Sequence, residues 1–115
     1  MDDPLITDDD LFLMANLRPD ETGLPMVIWV SERGNARHDA RVKVSQAHGS
    51  RIDPNNTASV AIRPAPQLVA GTLSAADLRT VSDWIRLNEV ALLDYWNSAI
   101  STSELFRRLR PITSP

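Results

Sequence analysis

The chain contains no cysteine among its 115 residues, which excludes disulfides, thiol nucleophiles and cysteine-ligated metal sites. Glycine is also scarce: of the four glycines, Gly34, Gly49 and Gly71 stand far apart, so no glycine-rich phosphate-binding loop is predicted. Apolar runs such as residues 24–30 are much shorter than the ~20 residues needed to cross a bilayer. The N-terminus is acidic where a signal peptide is basic, and the expected location is therefore the cytoplasm.

Charge is unevenly distributed along the chain. Five aspartates and no basic residue lie in the first ten residues, whereas the whole chain has a formal net charge of −3. Residues 1–13 are therefore predicted to form a disordered acidic tail. Residues 14–115 are predicted to form a single domain, because a chain of this length suits one hydrophobic core.

Four segments have the composition of β-strands. Residues 25–31 form an apolar and aromatic run typical of a buried strand, and a polar turn separates them from residues 36–44. Residues 58–63 follow a long connection, and prolines separate them from residues 67–70, which are suited to a short edge strand. The short turn predicts a hairpin, and the whole pattern predicts a small, mainly antiparallel sheet of three or four strands.

The second strand, with the sequence ARHDARVKV, alternates between apolar and charged residues. Successive side chains of a strand point to opposite faces of the sheet. His38 therefore shares a face with Ala40, Val42 and Val44, and this apolar face is predicted to lie in the core. The intervening charged residues belong to the other face, which is predicted to be solvated.

The clearest helix begins after Ser74. The Ser74 hydroxyl can cap the first turn, and Asp77 places a carboxylate near the positive end of the helix dipole. Apolar residues then recur at helical spacing. Together with the strands, this predicts an α+β domain in which the sheet packs against a C-terminal helix.

The apolar pattern of this helix is interrupted half-way along. In a straight helix, Glu89 would lie within the apolar stripe, whereas Leu87 and Val90 would lie on the polar side. Asparagine tolerates helix caps and left-handed backbone geometry. These mismatches therefore predict that the helix is kinked or broken near Asn88.

Four basic residues are candidates for contact with nucleic acid or with an acidic protein: Arg37, Arg41, Lys43 and Arg51. A platform for stacking bases would require several aromatic residues, and Trp29 is the one large aromatic in the predicted sheet. The alternative is that lysine and arginine simply keep a strand face solvated.

Three aromatic residues lie in the C-terminal helical region: Trp84, Tyr95 and Trp96. Such rings usually anchor a helix to a sheet, because each of them buries a large area. The alternative is that part of this aromatic stripe forms a surface for a protein partner or for a second copy of the chain.

The two histidines, His38 and His48, lack the additional ligands that a metal site requires. Acid–base catalysis by His38 with Lys43 near a phosphate would resemble a small ribonuclease. Lys43 has the opposite strand parity, however, and would point away from His38. No catalytic residue, metal site or cofactor is therefore predicted.

The motif Gly71-Thr72-Leu73, followed by ADLRTVSDWIRLNEVALLDYW and ISTSELFRRLRPI, resembles the small bacterial family known as domain of unknown function 4160. The resemblance extends from about Val27 to Ile112 and is stronger in the helical part than in the first strands. It implies a protein that pairs with a partner in a toxin–antitoxin-like manner, and it implies no established activity.

The family commonly has a His-x-His pair at the start of its second strand. His38 matches the first of these histidines, but Ala40 occupies the position of the second. A metal or catalytic role of that pair would therefore lack one of its two imidazoles in this chain.

These observations favour a non-enzymatic protein-interaction module that binds a protein partner, or its own second copy, through the aromatic helix and the basic strand. Nucleic-acid binding by the basic residues is the second hypothesis. A small phosphodiesterase or ribonuclease that uses His38 is the third. No membrane is expected to take part.

Overall fold

The structure, a computed structural model, describes residues 14–113. These residues form a five-stranded sheet and three helices. The strands are β1 (Ala15–Leu17), β2 (Ile28–Val30), β3 (Arg41–Ser45), β4 (Thr57–Ala61) and β5 (Gln67–Ala70). The helices are α1 (Pro19–Thr22), α2 (Ala75–Trp96) and α3 (Thr102–Arg108). The disordered tail predicted for residues 1–13 lies outside the described residues.

The sheet is an antiparallel meander in which each strand pairs with its neighbour in sequence, in the order β1-β2-β3-β4-β5. The predicted α+β fold with an antiparallel sheet is therefore confirmed, although the sheet has five strands rather than three or four. The additional strand is β1. It comprises only three residues, and its pairing with β2 matches Ala15 with Val30 and Leu17 with Ile28.

One face of the sheet packs against α2 and forms the main hydrophobic core. From β3 and the residue that precedes it, Ala40, Val42 and Val44 are buried in this core, as the strand alternation predicts. Burial of one valine side chain contributes about 1.5 to 3 kcal/mol. The core residues of β3 thus hold the strand in one register, because a shift by one residue would move them to the opposite face.

Helix α2 is continuous from Ala75 to Trp96, so a break near Asn88 is wrong, whereas a kink there stays a prediction. The side chain of Asn88 is only 3% exposed. Its amide donates to the carbonyl oxygens of Trp84 and Arg110 at 3.0 Å each, and its Oδ1 accepts from the Arg110 N–H at 2.7 Å. Asn88 therefore binds another part of the chain instead of ending the helix.

The residues after α3 form a C-terminal segment, residues 109–113, that runs back across the fold. At one end of it, Arg110 is held by Asn88. Further along, the Ile112 N–H donates to the Thr22 carbonyl oxygen at 2.7 Å, which ties the segment to α1. The segment thus joins the two ends of the described domain.

Among residues 14–113, no helix combines the length and the apolar character needed to span a bilayer.

Candidate interaction surfaces

The three aromatic residues of α2 that the sequence offered as a partner surface are core residues. Trp84, Tyr95 and Trp96 are all buried against the sheet or α3. The prediction that they form a contact surface is therefore wrong, because each ring is already covered within the chain. The ring of His38 lies over Trp96, with the ring centroids 5.7 Å apart and the planes inclined by 30°.

The exposed apolar residues of α2 are the two that interrupt its pattern. Leu87 is 47% exposed and Val90 is 66% exposed, and the two lie one turn apart on the outer face of the helix. The interruption in the sequence pattern therefore marks a solvent-facing apolar pair. It does not mark a break in the helix.

Charged residues flank this pair along the same side of the helix. We call the resulting surface the Val90 face, and it comprises Asp83, Arg86, Leu87, Val90 and Asp94. Within the chain, the Arg86 Nη1 lies 3.4 Å from the Asp83 Oδ1, and the Arg108 Nη1 lies 2.9 Å from the Asp94 Oδ2. Both ion pairs are exposed and therefore contribute little to stability.

The sheet has a second face, opposite to α2, and the cross-strand register defines its central row. The row is Asn16, Trp29, Lys43, Ser59 and Ala70, and we call this side of the sheet the Trp29 face. The Lys43 Nζ donates to the Ser59 Oγ at 2.6 Å.

The Trp29 face is buried at its centre, so the prediction of a solvated strand face is wrong there. Val27 and Trp29 form a hydrophobic cluster of their own, and they are 0% and 1% exposed. Ser45 and Ser59 are also buried on this side. The cations of β3 therefore adjoin an apolar centre rather than open water.

The four basic residues proposed for contact with nucleic acid or an acidic protein do not form one patch. Arg41 and Lys43 are half-buried on β3, whereas Arg37 and Arg51 are exposed in the loops at its two ends. A strand of five residues spans about 17 Å. Nucleic-acid binding remains a prediction, but these positions do not supply a concentrated basic footprint.

The two histidines are separated by the same strand, because His38 precedes β3 and His48 follows it. His38 contacts the Asp39 carbonyl oxygen through its Nδ1 at 2.8 Å, and His48 Nε2 lies 2.9 Å from Asp77. The two imidazoles therefore do not converge as a pair of acid–base groups. Within residues 14–113, no group of three or more histidines and acidic residues is arranged to hold a metal ion.

The loop before β3 carries a bidentate ion pair. Arg63 donates through its Nε and Nη2 to the Asp39 carboxylate at 2.8 to 3.1 Å. These hydrogen bonds, together with one from the Ala40 N–H, hold the pKa of the Asp39 carboxyl at about 2, below its ordinary value of 3.8. The same pair raises the pKa of Arg63.

The lowered pKa gives this ion pair a defined pH dependence. Its contribution to stability is present above pH ~4 and is lost as the pH falls from the ordinary pKa towards the folded one. We expect the Arg63→Gln variant to raise the pKa of Asp39 towards 3.8 in a carbon-13 NMR titration. The matched variant Arg86→Gln should leave that titration unchanged. An Asp39 carboxyl that titrates at 3.8 in the wild-type chain would contradict the assignment.

A small cavity lies between α1, α2 and α3. Its volume is about 70 Å³, and its lining residues are Leu17, Glu21, Thr22, Trp84, Phe106 and Leu109. Among the described side chains, the Trp84 Nε1 is a buried donor without a hydrogen-bond partner. A cavity of this size holds about two water molecules, whereas sites for small-molecule ligands measure roughly 300 Å³ or more. The cavity therefore does not favour a small-molecule substrate.

Comparison with known protein families, with curated proteins and with solved structures finds no match to this chain. The resemblance to the domain of unknown function 4160 family therefore stays a prediction, and so does the toxin–antitoxin-like partner that it implies.

Proposed function

We propose that this chain is a non-enzymatic protein-interaction module, and that the partner on its Val90 face is a second copy of the same chain. The observation that carries the proposal is the exposure of Val90, at 66%, beside Leu87, at 47%, on the outer side of a continuous helix. Single exposed apolar residues are normal on protein surfaces. Two of them on one helical face, between opposite charges, supply a more specific contact.

The charges on either side of Val90 are arranged for pairing with an identical helix. When two copies of α2 pack antiparallel about a twofold axis at Val90, positions equally distant from that residue face each other. Arg86 precedes Val90 by four residues and Asp94 follows it by four. Arg86 of one copy therefore faces Asp94 of the other, and the symmetry makes this contact twice.

The remaining positions of the face agree with the same arrangement. Leu87 would face Leu93 of the second copy, and Asp83 would face Asn97, so no like charges are opposed. Leu93 already lies half-exposed at the edge of the core. The contact would therefore extend the core across the interface with a polar border, as interfaces commonly do.

The edge strand β5 is a less suitable surface for pairing. Pro64 and Pro66 precede it, and the register of its pairing with β4 shifts between Ser59 and Val60. Prolines and irregular pairing are features that protect sheet edges against the addition of another strand. This comparison favours the helical face over the sheet edge.

The test is the effect of Val90→Glu on self-association. We expect the wild-type chain to form dimers in sedimentation velocity experiments, and we expect the variant to raise the dissociation constant at least tenfold, which is about 1.4 kcal/mol. The reason is that the substitution brings two carboxylates together at the twofold axis. Ile52→Glu is the matched control, because Ile52 is 48% exposed but lies in the loop between β3 and β4.

Circular dichroism should show that both variants keep the wild-type fold, because both positions are exposed. A wild-type chain that stays monomeric at millimolar concentration would overturn the proposal. So would an equal loss of association in Val90→Glu and Ile52→Glu.

A further inference from the structure

We propose that the cavity between α1, α2 and α3 is a binding site for water, in which an ordered water molecule bridges the Trp84 indole N–H and the Glu21 carboxylate. Three features support this proposal: the buried indole donor, the chemistry of the lining and the size of the cavity. The bridge would join α2 to α1 beside Leu109, where the C-terminal segment begins. The proposal is independent of self-association through the Val90 face.

The Trp84 side chain carries a polar atom that the fold itself does not satisfy. Trp84 lines the cavity and is 1% exposed, and its Nε1 has no hydrogen-bond acceptor among residues 14–113. The indole nitrogen can only donate, and in the unfolded chain it donates to water. A buried donor that gains no acceptor loses this hydrogen bond on folding, which is unfavourable. An acceptor inside the cavity removes that penalty.

The polar part of the lining comes from α1. The Glu21 Oε1 accepts from the Arg18 N–H at 2.9 Å, whereas the Glu21 Oε2 accepts no hydrogen bond within residues 14–113. The Thr22 Oγ1 is already engaged, because it donates to the Arg18 carbonyl oxygen at 3.4 Å and accepts from the Leu24 N–H at 3.0 Å. Of these two side chains, Glu21 therefore has the acceptor that is open to a bound molecule.

Trp84 and Glu21 together select the chemistry of the occupant. The occupant must accept a hydrogen bond from the indole and donate one to the carboxylate, so it needs a hydroxyl group or a water oxygen. An anion lacks the donor and is repelled by Glu21, and an ammonium ion lacks the acceptor. The cavity volume of about 70 Å³ corresponds to about two water molecules. Water meets both the chemical requirement and the size limit.

Contacts between water and the Trp84 indole test the proposal in the full-length chain. The chain is enriched in nitrogen-15, and Trp84→Phe assigns the indole signal by its disappearance. Nuclear Overhauser and rotating-frame Overhauser spectra then transfer magnetisation from the water signal to the indole N–H. A water molecule held in the cavity gives cross-peaks of opposite sign in the two spectra, whereas proton exchange with bulk water gives the same sign. We expect opposite signs at Trp84.

Two variants of Glu21 test the other end of the bridge. Glu21→Met removes both carboxylate oxygens, and we expect it to weaken the cross-peak at Trp84 at least twofold. Glu21→Gln is the matched control, because its amide oxygen can still accept from the Arg18 N–H and its amide group keeps hydrogen-bonding atoms at the cavity. The cross-peak should persist in this variant.

Xenon distinguishes a hydrated cavity from a dry one, because this gas enters empty apolar cavities. The wild-type chain is used, so this arm does not depend on how well any variant folds. Under xenon pressure, we expect the methyl signals of Leu17 and Leu109, which line the cavity, to keep their positions.

Three results would overturn the proposal. One is the lack of a water cross-peak at Trp84, or cross-peaks of the same sign in both spectra. Another is a saturable shift of the Leu17 and Leu109 methyl signals with xenon, which would show a dry cavity. The third is a cross-peak of equal intensity in Glu21→Met and in the wild-type chain, which would remove Glu21 from the bridge. Loss of dimers in the Val90→Glu variant would bear on self-association alone, so the two proposals can fail separately.

Discussion

Replacement of Gly23 by alanine is expected to lower the free energy of unfolding by about 3 to 5 kcal/mol. Gly23 ends α1 with φ +79°, a left-handed conformation that disfavours an L side chain. A Cβ at this position would also collide with the carbonyl oxygen of Ile112. The C-terminal segment would therefore have to move, and the hydrogen bond from the Ile112 N–H to Thr22 would be lost.

The matched control is Gly34→Ala, which separates backbone strain from the collision. Gly34 also has a positive φ, +51°, but a Cβ there would meet no atom within 4 Å apart from those of its own chain neighbours. Gly34→Ala is therefore expected to lower the free energy of unfolding by only about 1 to 2 kcal/mol. Urea denaturation of both variants measures the difference, and equal losses of stability would contradict the close approach of the C-terminal segment to α1.

The second large effect is expected from Asn88→Ala, which should lower the free energy of unfolding by about 2 to 4 kcal/mol. Asn88 is 3% exposed, and its side chain binds both the N–H and the carbonyl oxygen of Arg110. Alanine would leave these backbone groups without their partners and would open a small cavity between α2 and the C-terminal segment. Urea denaturation again provides the measurement.

Asn97→Ala is the control for this variant, because Asn97 follows the same helix but is exposed. Its effect should remain within about 0.5 kcal/mol. The double variant Gly23→Ala with Asn88→Ala should lose less stability than the two single losses combined, since both substitutions release the same C-terminal segment. If the stability loss of the double variant equals the sum of the two single losses, the two substitutions do not act through the same C-terminal segment.

The sequence was a good guide to β3 because strand alternation depends only on neighbouring residues. The apolar series from Ala40 to Val44 indicated the correct face, and the structure buries it against α2. The strand β1 was missed for a corresponding reason. Three residues carry too little local pattern, and only the pairing with β2 makes Ala15–Leu17 a strand.

The exposed pair on α2 shows why a correct observation led to a wrong structure. Leu87 and Val90 do not fit the apolar stripe of a straight amphipathic helix, and this mismatch predicts a kink or a break near Asn88. Helical spacing alone cannot distinguish an altered backbone from an apolar patch on the outer surface. The continuity of α2 excludes the break, and the buried side chain of Asn88 instead binds Arg110, which lies 22 residues away in sequence.

A different reason explains why the sequence alone did not predict the burial of the aromatic residues and of the Trp29 face. Both depend on what packs against a surface from elsewhere in the chain. Trp84 and Trp96 face the sheet rather than a partner, and Trp29 lies on the side of the sheet opposite to α2. Composition identifies such residues as candidates for burial, but only the tertiary structure identifies their neighbours.

The most direct test of the proposed self-association exchanges the charges of the Val90 face between two copies. Arg86→Glu and Asp94→Lys are prepared as separate proteins and examined by sedimentation velocity, alone and in an equimolar mixture. In the proposed antiparallel contact, each variant alone opposes like charges twice, whereas the mixture opposes unlike charges at both positions. We predict that each variant is monomeric by itself and that the mixture restores the dimer. A mixture that stays monomeric while the wild-type chain dimerises would contradict the proposed contact.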